Sequence, residues 1–223
     1  MLKVLEIFHS IDGEGTRAGE LTTFIRLAGC NLHCRYCDTA YSISPKEWKE
    51  MSVEEVISKV QYRNVTVTGG EPLLQEDAWT LCKSLAEQGH SVNIETNGTI
   101  VPPVKPRGLE ESIFFTIDYK CGASGHEKDM NPEAFKNLKY NDVIKCVVGS
   151  VEDMESALAN LQKWNPILFR QYWAPPWVYF SPVFGKIEPA EIVEFMKRNK
   201  LEGKCRVQLQ LHKFIWKPDE RMV

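Results

Sequence analysis

The chain has 223 residues, 43% of them apolar and 26% charged, which excludes collagenous, coiled-coil and compositionally disordered proteins and allows one domain, or two small ones, to bury a core. With 27 basic against 30 acidic residues and a formal charge of −3, no electrostatic attraction to nucleic acid or to an anionic membrane is expected. The seven cysteines are unevenly spread, with Cys30, Cys34 and Cys37 inside eight residues.

The N-terminal apolar stretch is broken by Glu6 and has no small-residue cleavage site, so it does not read as a signal peptide. No run approaches about 18 apolar residues, so no transmembrane helix is predicted. The expected compartment is therefore the reducing cytoplasm, where a close cysteine triplet more often binds metal or does redox chemistry than forms a bridge. Neither the three-proline segment Val101–Gly108 nor the turn Trp173–Trp177 looks like a domain boundary, and the whole chain, 1–223, reads as one domain.

In chain order, an N-terminal strand is followed by a β-branched strand over Thr22–Leu27. Ser52 and Glu55 have capping-box spacing, ahead of Val53, Val56, Ile57 and Val60 at helical intervals. Asn64–Thr68 is a strand, and Ala78–Gln88 a helix ended by Gly89. Ser91–Glu95 and Ile113–Ile117 are strands, and Asn131-Pro132 opens a helix with proline at its first position. Val143–Val148 is a strand, Ser150 caps a helix with Met154, Leu158 and Leu161 on one stripe, and Val178–Phe180 is a short strand. A helix over Pro189–Asn199 and a strand over Cys205–Leu211 complete the series. This alternation predicts an α/β protein with a mainly parallel sheet. A full eight-unit barrel needs about 250 residues; about six βα units fit an incomplete, TIM-like barrel or an open curved sheet, with ligands at the strand C-terminal ends.

Polar motifs fall at those ends. The cysteines follow Thr22–Leu27, Thr68-Gly69-Gly70-Glu71-Pro72 follows the next strand, Glu95-Thr96-Asn97-Gly98 the one after, and Asp118-Tyr119-Lys120 the fourth. In the last strand Gln208, Gln210 and His212 alternate with leucines, either as the wet face of an edge strand or as a face lining a cavity. Three clustered thiols are one short of the four ligands of a closed zinc site or of an ordinary iron–sulfur cluster. His33 or a distant cysteine could complete zinc; a four-iron cluster held by three thiolates instead keeps one iron open for chemistry. Cys82, Cys121, Cys146 and Cys205 are scattered and read as buried apolar residues.

The Cys-x3-Cys-x2-Cys pattern, with Tyr36 before the third cysteine and Gly69-Gly70-Glu71 after the next strand, resembles the radical S-adenosylmethionine (SAM) superfamily. The segments Phe8–Gly15, Asp38-Thr39, Ile94–Gly98 and Leu211–Trp216 extend the likeness to the 7-carboxy-7-deazaguanine synthase family, over about residues 3–216. That resemblance implies a radical SAM fold and a [4Fe–4S] cluster on Cys30, Cys34 and Cys37. It implies conversion of 6-carboxy-5,6,7,8-tetrahydropterin to 7-carboxy-7-deazaguanine by a 5′-deoxyadenosyl radical, with no side-chain acid or base as the reacting group. Ammonia is lost, as in a lyase, in 7-deazapurine (queuosine-type) biosynthesis. Mg²⁺ assists, with Thr39 as its ligand; the alternative for Thr39 is a cap for the following turn. A homodimer and an electron donor such as a flavodoxin or ferredoxin are also implied, with no nucleic-acid or membrane partner.

For substrate, the resemblance implies Ile11, Asp12, Gly13, Glu14, Arg26, Thr68, Gln210 and His212. Arg26 has the planar fork that suits a carboxylate, against the plainer reading of a surface ion pair, and Glu14 the acceptors for an amino-pyrimidinone edge. For SAM it implies Tyr36, Asp38, Gly70, Glu71, Asp118, Lys120 and Ser181. One position departs from the family pattern: Asp12 stands where glutamine is common, and an ionised aspartate accepts hydrogen bonds but donates none. Two other readings remain, a glycyl-radical activase, which would lack the IDGEG loop and the QLHK tail, and a zinc-binding interaction module, which iron and sulfide analysis would separate.

Overall fold

The computed structural model describes residues 1–169 and 176–223. One nine-stranded sheet runs in the order β3-β1-β2-β4-β5-β6-β7-β8-β9. β1 (Leu2–Ile11) lies antiparallel between β2 (Leu21–Leu27) and the short edge strand β3 (Lys49–Met51). From β2 onward every pairing is parallel, through β4 (Asn64–Gly69), β5 (Ser91–Thr96), β6 (Ile113–Tyr119), β7 (Val143–Val148), β8 (Trp177–Pro182) and β9 (Cys205–Val207). α1 (Val53–Ile57), α2 (Glu76–Glu87), α3 (Val151–Trp164) and α4 (Pro189–Arg198) join successive strands, and α5 (His212–Ile215) is a single turn near the C-terminus. This is the open, incomplete barrel that the length and alternation predict. Among the described residues, no helix is long and apolar enough to cross a membrane.

Strand chemistry explains both faces. Successive side chains point to opposite sides, and one side carries Val65, Val67, Val92, Ile94, Ile117, Ile144 and Phe180, all buried under helix residues such as Leu81, Leu85, Met154, Leu161, Ile192 and Phe195. The other side carries Thr66, Asn93, Thr116, Lys145 and Ser181, which are also buried. A parallel strand covered on both faces ordinarily reads as a continuous apolar run. These strands keep a polar inner row because it meets polar partners: Thr66 bonds Arg17 and Asp12, Thr116 bonds Asn93, Ser181 bonds Glu14, and Lys145 lines the cavity. All four scattered cysteines are buried, as expected of packing residues.

Local signals hold where they are strongest. Ser52 and Glu55 form a reciprocal capping box on α1, the Ser52 backbone donating to Glu55 at 2.7 Å. Ser150 caps α3 and Pro189 opens α4. Three expectations change. The strand predicted over Cys205–Leu211 stops at Val207; Gln208 N still bonds Phe180 O at 2.9 Å, while its side-chain amide pairs with both backbone groups of Gly15 at 2.8 and 3.0 Å. Asn131 does cap the next turn, accepting from Glu133 N at 3.1 Å, but only a 3-10 turn forms, Pro132–Phe135. β3 and α5, too short to show periodicity, were not expected. The tryptophan-flanked proline turn lies mostly outside the described residues.

Residues 97–112, between β5 and β6, contain no helix. Asp142 pins this proline-rich connection instead: its Oδ1 accepts from Phe115 N at 2.8 Å and from Lys105 Nζ at 2.7 Å, and its Oδ2 accepts from Lys139 N at 2.6 Å. Asp142→Ala would leave the Lys105 ammonium, whose side chain is 6% exposed, without its counter-ion. We expect a loss of about 3–5 kcal/mol, the usual cost of breaking a buried pair, measured from urea unfolding midpoints.

Candidate active site

The segment after β1 folds back into the open side of the barrel and makes a floor. Asp12 N bonds Glu20 O, Leu211 N bonds Gly13 O at 3.0 Å, and Gln208 grips Gly15. Arg17 reaches further in. Its Nε lies 2.8 Å from Asp12 Oδ2, its Nη2 donates to Thr66 Oγ1 at 2.8 Å, and its Nη1 donates to Ser91 O at 2.8 Å. Thr66 Oγ1 in turn donates to Asp12 Oδ1 at 2.8 Å. The Arg17–Asp12 contact is an ion pair of short distance but poor hydrogen-bond alignment. Burial pushes the Asp12 carboxyl up to about 6, against the pull of Arg17.

Glu14 follows and meets the opposite wall. Its Oε2 accepts from Lys145 Nζ at 3.1 Å and from Gln210 Nε2 at 3.4 Å. Ser181 Oγ lies 3.2 Å from Glu14 Oε1 and 2.9 Å from Gln208 O, and its single proton serves one of them at a time. Lys145 Nζ also lies 3.3 Å from Asp118 Oδ1, and Asp118 Oδ2 lies 2.5 Å from Lys120 Nζ. Burial alone would raise the Asp118 carboxyl, but Lys120 and Lys145 outweigh it and hold its pKa below the ordinary value. Burial would lower Lys145, but Asp118 and Glu14 hold it well above the usual range. His212 moves the other way: burial lowers its pKa against the pull of Glu14 and Asp38, so it is neutral at pH 7.

At the other end of the strands the cysteine loop, residues 28–39, closes over the cavity. Gly70 N donates to Leu27 O at 3.0 Å and Glu71 N to Gly29 O at 2.8 Å, which draws the glycine pair onto the loop. A Cβ at Gly70 would sit 2.0 Å from Gly29 O and 2.8 Å from Cys30 Cβ, so only glycine allows this approach. Cys30, Cys34 and Cys37 are the three half-buried cysteines, all on the cavity wall. Cys30 Sγ accepts from Leu32 N at 3.4 Å and faces Asn97 Nδ2 at 3.8 Å, donors of the kind that stabilise cluster thiolates. Among the described residues, no three His, Cys, Asp or Glu side chains gather closely enough to hold a single metal ion. The donor set itself, three free half-buried thiols on one cavity wall with N–H donors at Cys30 Sγ, is the one that would hold a four-iron cluster.

On the rim, Glu6 takes Arg26 Nε and Tyr41 OH, each at 3.1 Å, and also pairs with Arg221 near the C-terminus. Arg26 and Phe8, the latter stacked on Phe24 at 4.8 Å, line the cavity below it.

The cavity, of about 270 Å³, gathers most of the expected residues: Ile11 to Glu14, Arg26, the three cysteines, Tyr36, Asp38, Thr39, Thr68, Gly70, Asp118, Lys120, Gln210 and His212 all line it. Three expected contacts are engaged elsewhere. Glu71 is fully buried and not on the wall; its carboxylate accepts from Thr96 Oγ1, Asn97 N and Leu73 N at 2.8, 2.6 and 2.9 Å and braces the turn. Ser181 is buried behind Glu14. Asp12 reaches the cavity, but Thr66 and Arg17 occupy both its oxygens, which accounts for an acceptor-only residue at this position. Lys145 was missed, and Glu95 was read only as part of a strand-end motif; both line the cavity. Glu95 accepts from Thr68 Oγ1 at 2.7 Å, and Lys145 links Glu14 to Asp118. The signal was present: β5 and β7 alternate polar with apolar residues, as Asn93-Ile94-Glu95 and Ile144-Lys145-Cys146 do.

These features define a radical SAM protein, and the family model for the radical SAM superfamily matches residues 24–163. The crystal structure of QueE from Escherichia coli has the same fold, with a TM-score of 0.70 at 23% identity, covering 94% of this chain and 93% of that one. A 7-carboxy-7-deazaguanine synthase of Clostridium acetobutylicum is 42% identical over 99% of both chains, and one of Methanospirillum hungatei is 38% identical over 97% of this chain and 86% of its own. The chain belongs to the 7-carboxy-7-deazaguanine synthase family. Membership of the superfamily implies a [4Fe–4S] cluster and SAM.

Two outcomes follow from the geometry. Gly70→Ala should displace the cysteine loop and lower the iron content of reconstituted protein several-fold, measured by iron and sulfide analysis, while leaving the fold intact by circular dichroism. Asp12 keeps its proton to about pH 6 in the folded chain but only to about 3.8 when unfolded. Its stabilising contribution is therefore full below pH about 4 and lost as pH rises through about 6. Asp12→Asn has no proton to lose, so the stability of wild type relative to this variant should fall between pH 4 and 6 in urea melts, and a constant difference would contradict the assignment.

Proposed function

We propose that this chain converts 6-carboxy-5,6,7,8-tetrahydropterin to 7-carboxy-7-deazaguanine, releasing ammonia, within 7-deazapurine (queuosine-type) biosynthesis. The observation that carries this reading is the pairing, across one cavity, of three half-buried thiols with a guanidinium, a carboxylate and amide groups suited to a carboxylated pterin. When bound, the cluster and SAM together supply a 5′-deoxyadenosyl radical, the agent that removes hydrogen from substrate.

The chain's own residues bind and orient. Glu6 takes Arg26 Nε, so the terminal N–H groups of the fork remain for the substrate carboxylate. Glu14, paired with Lys145, accepts from the amino-pyrimidinone edge. Neutral His212 and Gln210 flank it, Thr68 presents its hydroxyl from β4, and Ile11 and Gly13 offer backbone groups. The Asp118–Lys120 pair presents charges of both signs to the zwitterionic methionine end of SAM, beside Tyr36, Asp38 and the open backbone of Gly70. Glu71 and Ser181 act through the groups they hold. Thr39 Oγ1, 3.6 Å from Cys37 Sγ, is a hard oxygen ligand suited to Mg²⁺ next to the cluster. A homodimer in the cytoplasm, where the thiols stay reduced, completes the reading.

Anaerobic, cluster-loaded protein with SAM, dithionite, Mg²⁺ and carboxytetrahydropterin should yield the carboxylated deazaguanine by mass spectrometry, at a rate that falls when Mg²⁺ is chelated. An intact cluster with no product would overturn the activity, and a rate indifferent to Mg²⁺ would remove Thr39 from its role.

A further inference from the structure

Glu6 on β1 and Arg26 on β2 stand directly opposite each other in the antiparallel ladder. A carboxylate and a guanidinium so placed frequently pair through two parallel N–H···O bonds, one from Nε and one from a terminal nitrogen. Here the pairing is single. Arg26 Nε donates to Glu6 Oε2 at 3.1 Å, and among the described residues neither terminal nitrogen of Arg26 has a hydrogen-bond partner. Arg26 lines the cavity, which leaves those nitrogens to a ligand.

The other oxygen of Glu6 is taken by the C-terminal tail. Residues 218–223 run along the cavity wall. Arg221 passes by the adjacent, exposed Asp219 and Glu220 and donates through Nη2 to Glu6 Oε1, across 215 residues. Its Cζ lies 3.7 Å from the centre of the Tyr41 ring, and Tyr41 OH donates to Glu6 Oε2 at 3.1 Å. A carboxylate side chain that is 6% exposed thus serves two guanidinium groups, one on each oxygen. The two cations also repel each other, which works against a second Arg26 bond to Oε1.

We propose that Arg221 is a positioning residue that sets the specificity of the site for a carboxylated pterin. By occupying Glu6 Oε1 it keeps Arg26 in its single-bonded pairing, with both terminal nitrogens free for the substrate carboxylate. Without Arg221, Glu6 takes Arg26 through Nε and a terminal nitrogen together, and one arm of the fork is withdrawn from the substrate. Arg221 acts through Glu6 and not by contact with the substrate. The proposal rests on the reading that Arg26 binds the substrate carboxylate, and the experiment separates the two.

Cluster-loaded, anaerobic wild type, Arg221→Ala, Arg221→Lys, Glu6→Gln and the Glu6→Gln/Arg221→Ala double variant are titrated calorimetrically with SAM present and no reductant. Each is titrated with 6-carboxy-5,6,7,8-tetrahydropterin and with tetrahydropterin, which lacks the carboxylate, and the ratio of the two affinities is read. Arg221→Ala should weaken binding of the carboxylated ligand about tenfold, the scale of one charge-assisted hydrogen bond, and of the plain pterin by less than about twofold. Arg221→Lys, which returns a cation to Glu6 Oε1, should recover most of the ratio. In the Glu6→Gln background, adding Arg221→Ala should change the ratio by less than about twofold, because the two residues act in series. An unchanged ratio in Arg221→Ala would overturn the proposal, as would an equal loss for both ligands, the mark of a merely structural role. An Arg221 effect that persists without the Glu6 carboxylate would overturn it too, since it would mean direct contact with the ligand. Wild type with no preference for the carboxylated pterin would overturn the Arg26 reading itself, and the proposal with it.

Discussion

An open sheet with charged residues on its inner face must satisfy those charges without the ring of strands that closes a full barrel. Glu14 does this here. Its carboxylate meets Lys145, which meets Asp118, which meets Lys120, so one chain of alternating charge runs from the floor to the wall beside the cysteine loop. Removing Lys145 would leave Glu14, and removing Asp118 would leave Lys120, without the charged partner it has here, a cost of several kcal/mol. The arrangement holds Asp118 ionised and Lys145 protonated at neutral pH, the states in which a zwitterionic cofactor is recognised. The segment that delivers Glu14 is fixed by the Asp12–Arg17 pair and by the double grip of Gln208 on Gly15.

The two ends of the cavity are built from different materials. At the cysteine end the backbone decides the geometry: Gly70 lies against Gly29, and the carboxylate of Glu71 serves only to brace the turn that brings it there. At the floor, side chains decide it. A substitution at Gly70 therefore acts on the loop that carries the cluster ligands, whereas one at Glu14 or Lys145 acts on recognition and electrostatics.

The family and the position of the site were legible because motifs at strand ends survive inexact element boundaries. The cysteine triplet, the glycine pair and Asp118-Tyr119-Lys120 sit where the βα pattern puts them even though most strands run a residue or two beyond their expected limits. Long-range partnering was not legible. Nothing local says that Thr66 will bond Asp12, or that the Gln208 side chain will hold Gly15, since those choices are made across separations of 54 and 193 residues. Lys145 and Glu95 lie between these cases. Their alternation with apolar neighbours is the same signal that was read at Gln208–His212, where the strand in fact ends.

The central claim is that substrate and SAM share the one cavity between the cysteine loop and the Asp12–Arg17 floor. A crystal structure of the cluster-loaded protein with SAM and the carboxylated pterin tests it most directly. The account predicts the substrate carboxylate on Arg26, its amino edge on Glu14, and the methionine end of SAM between Asp118–Lys120 and the cysteine loop. Substrate bound away from Arg26 and Glu14, or SAM bound away from the three cysteines, would contradict it.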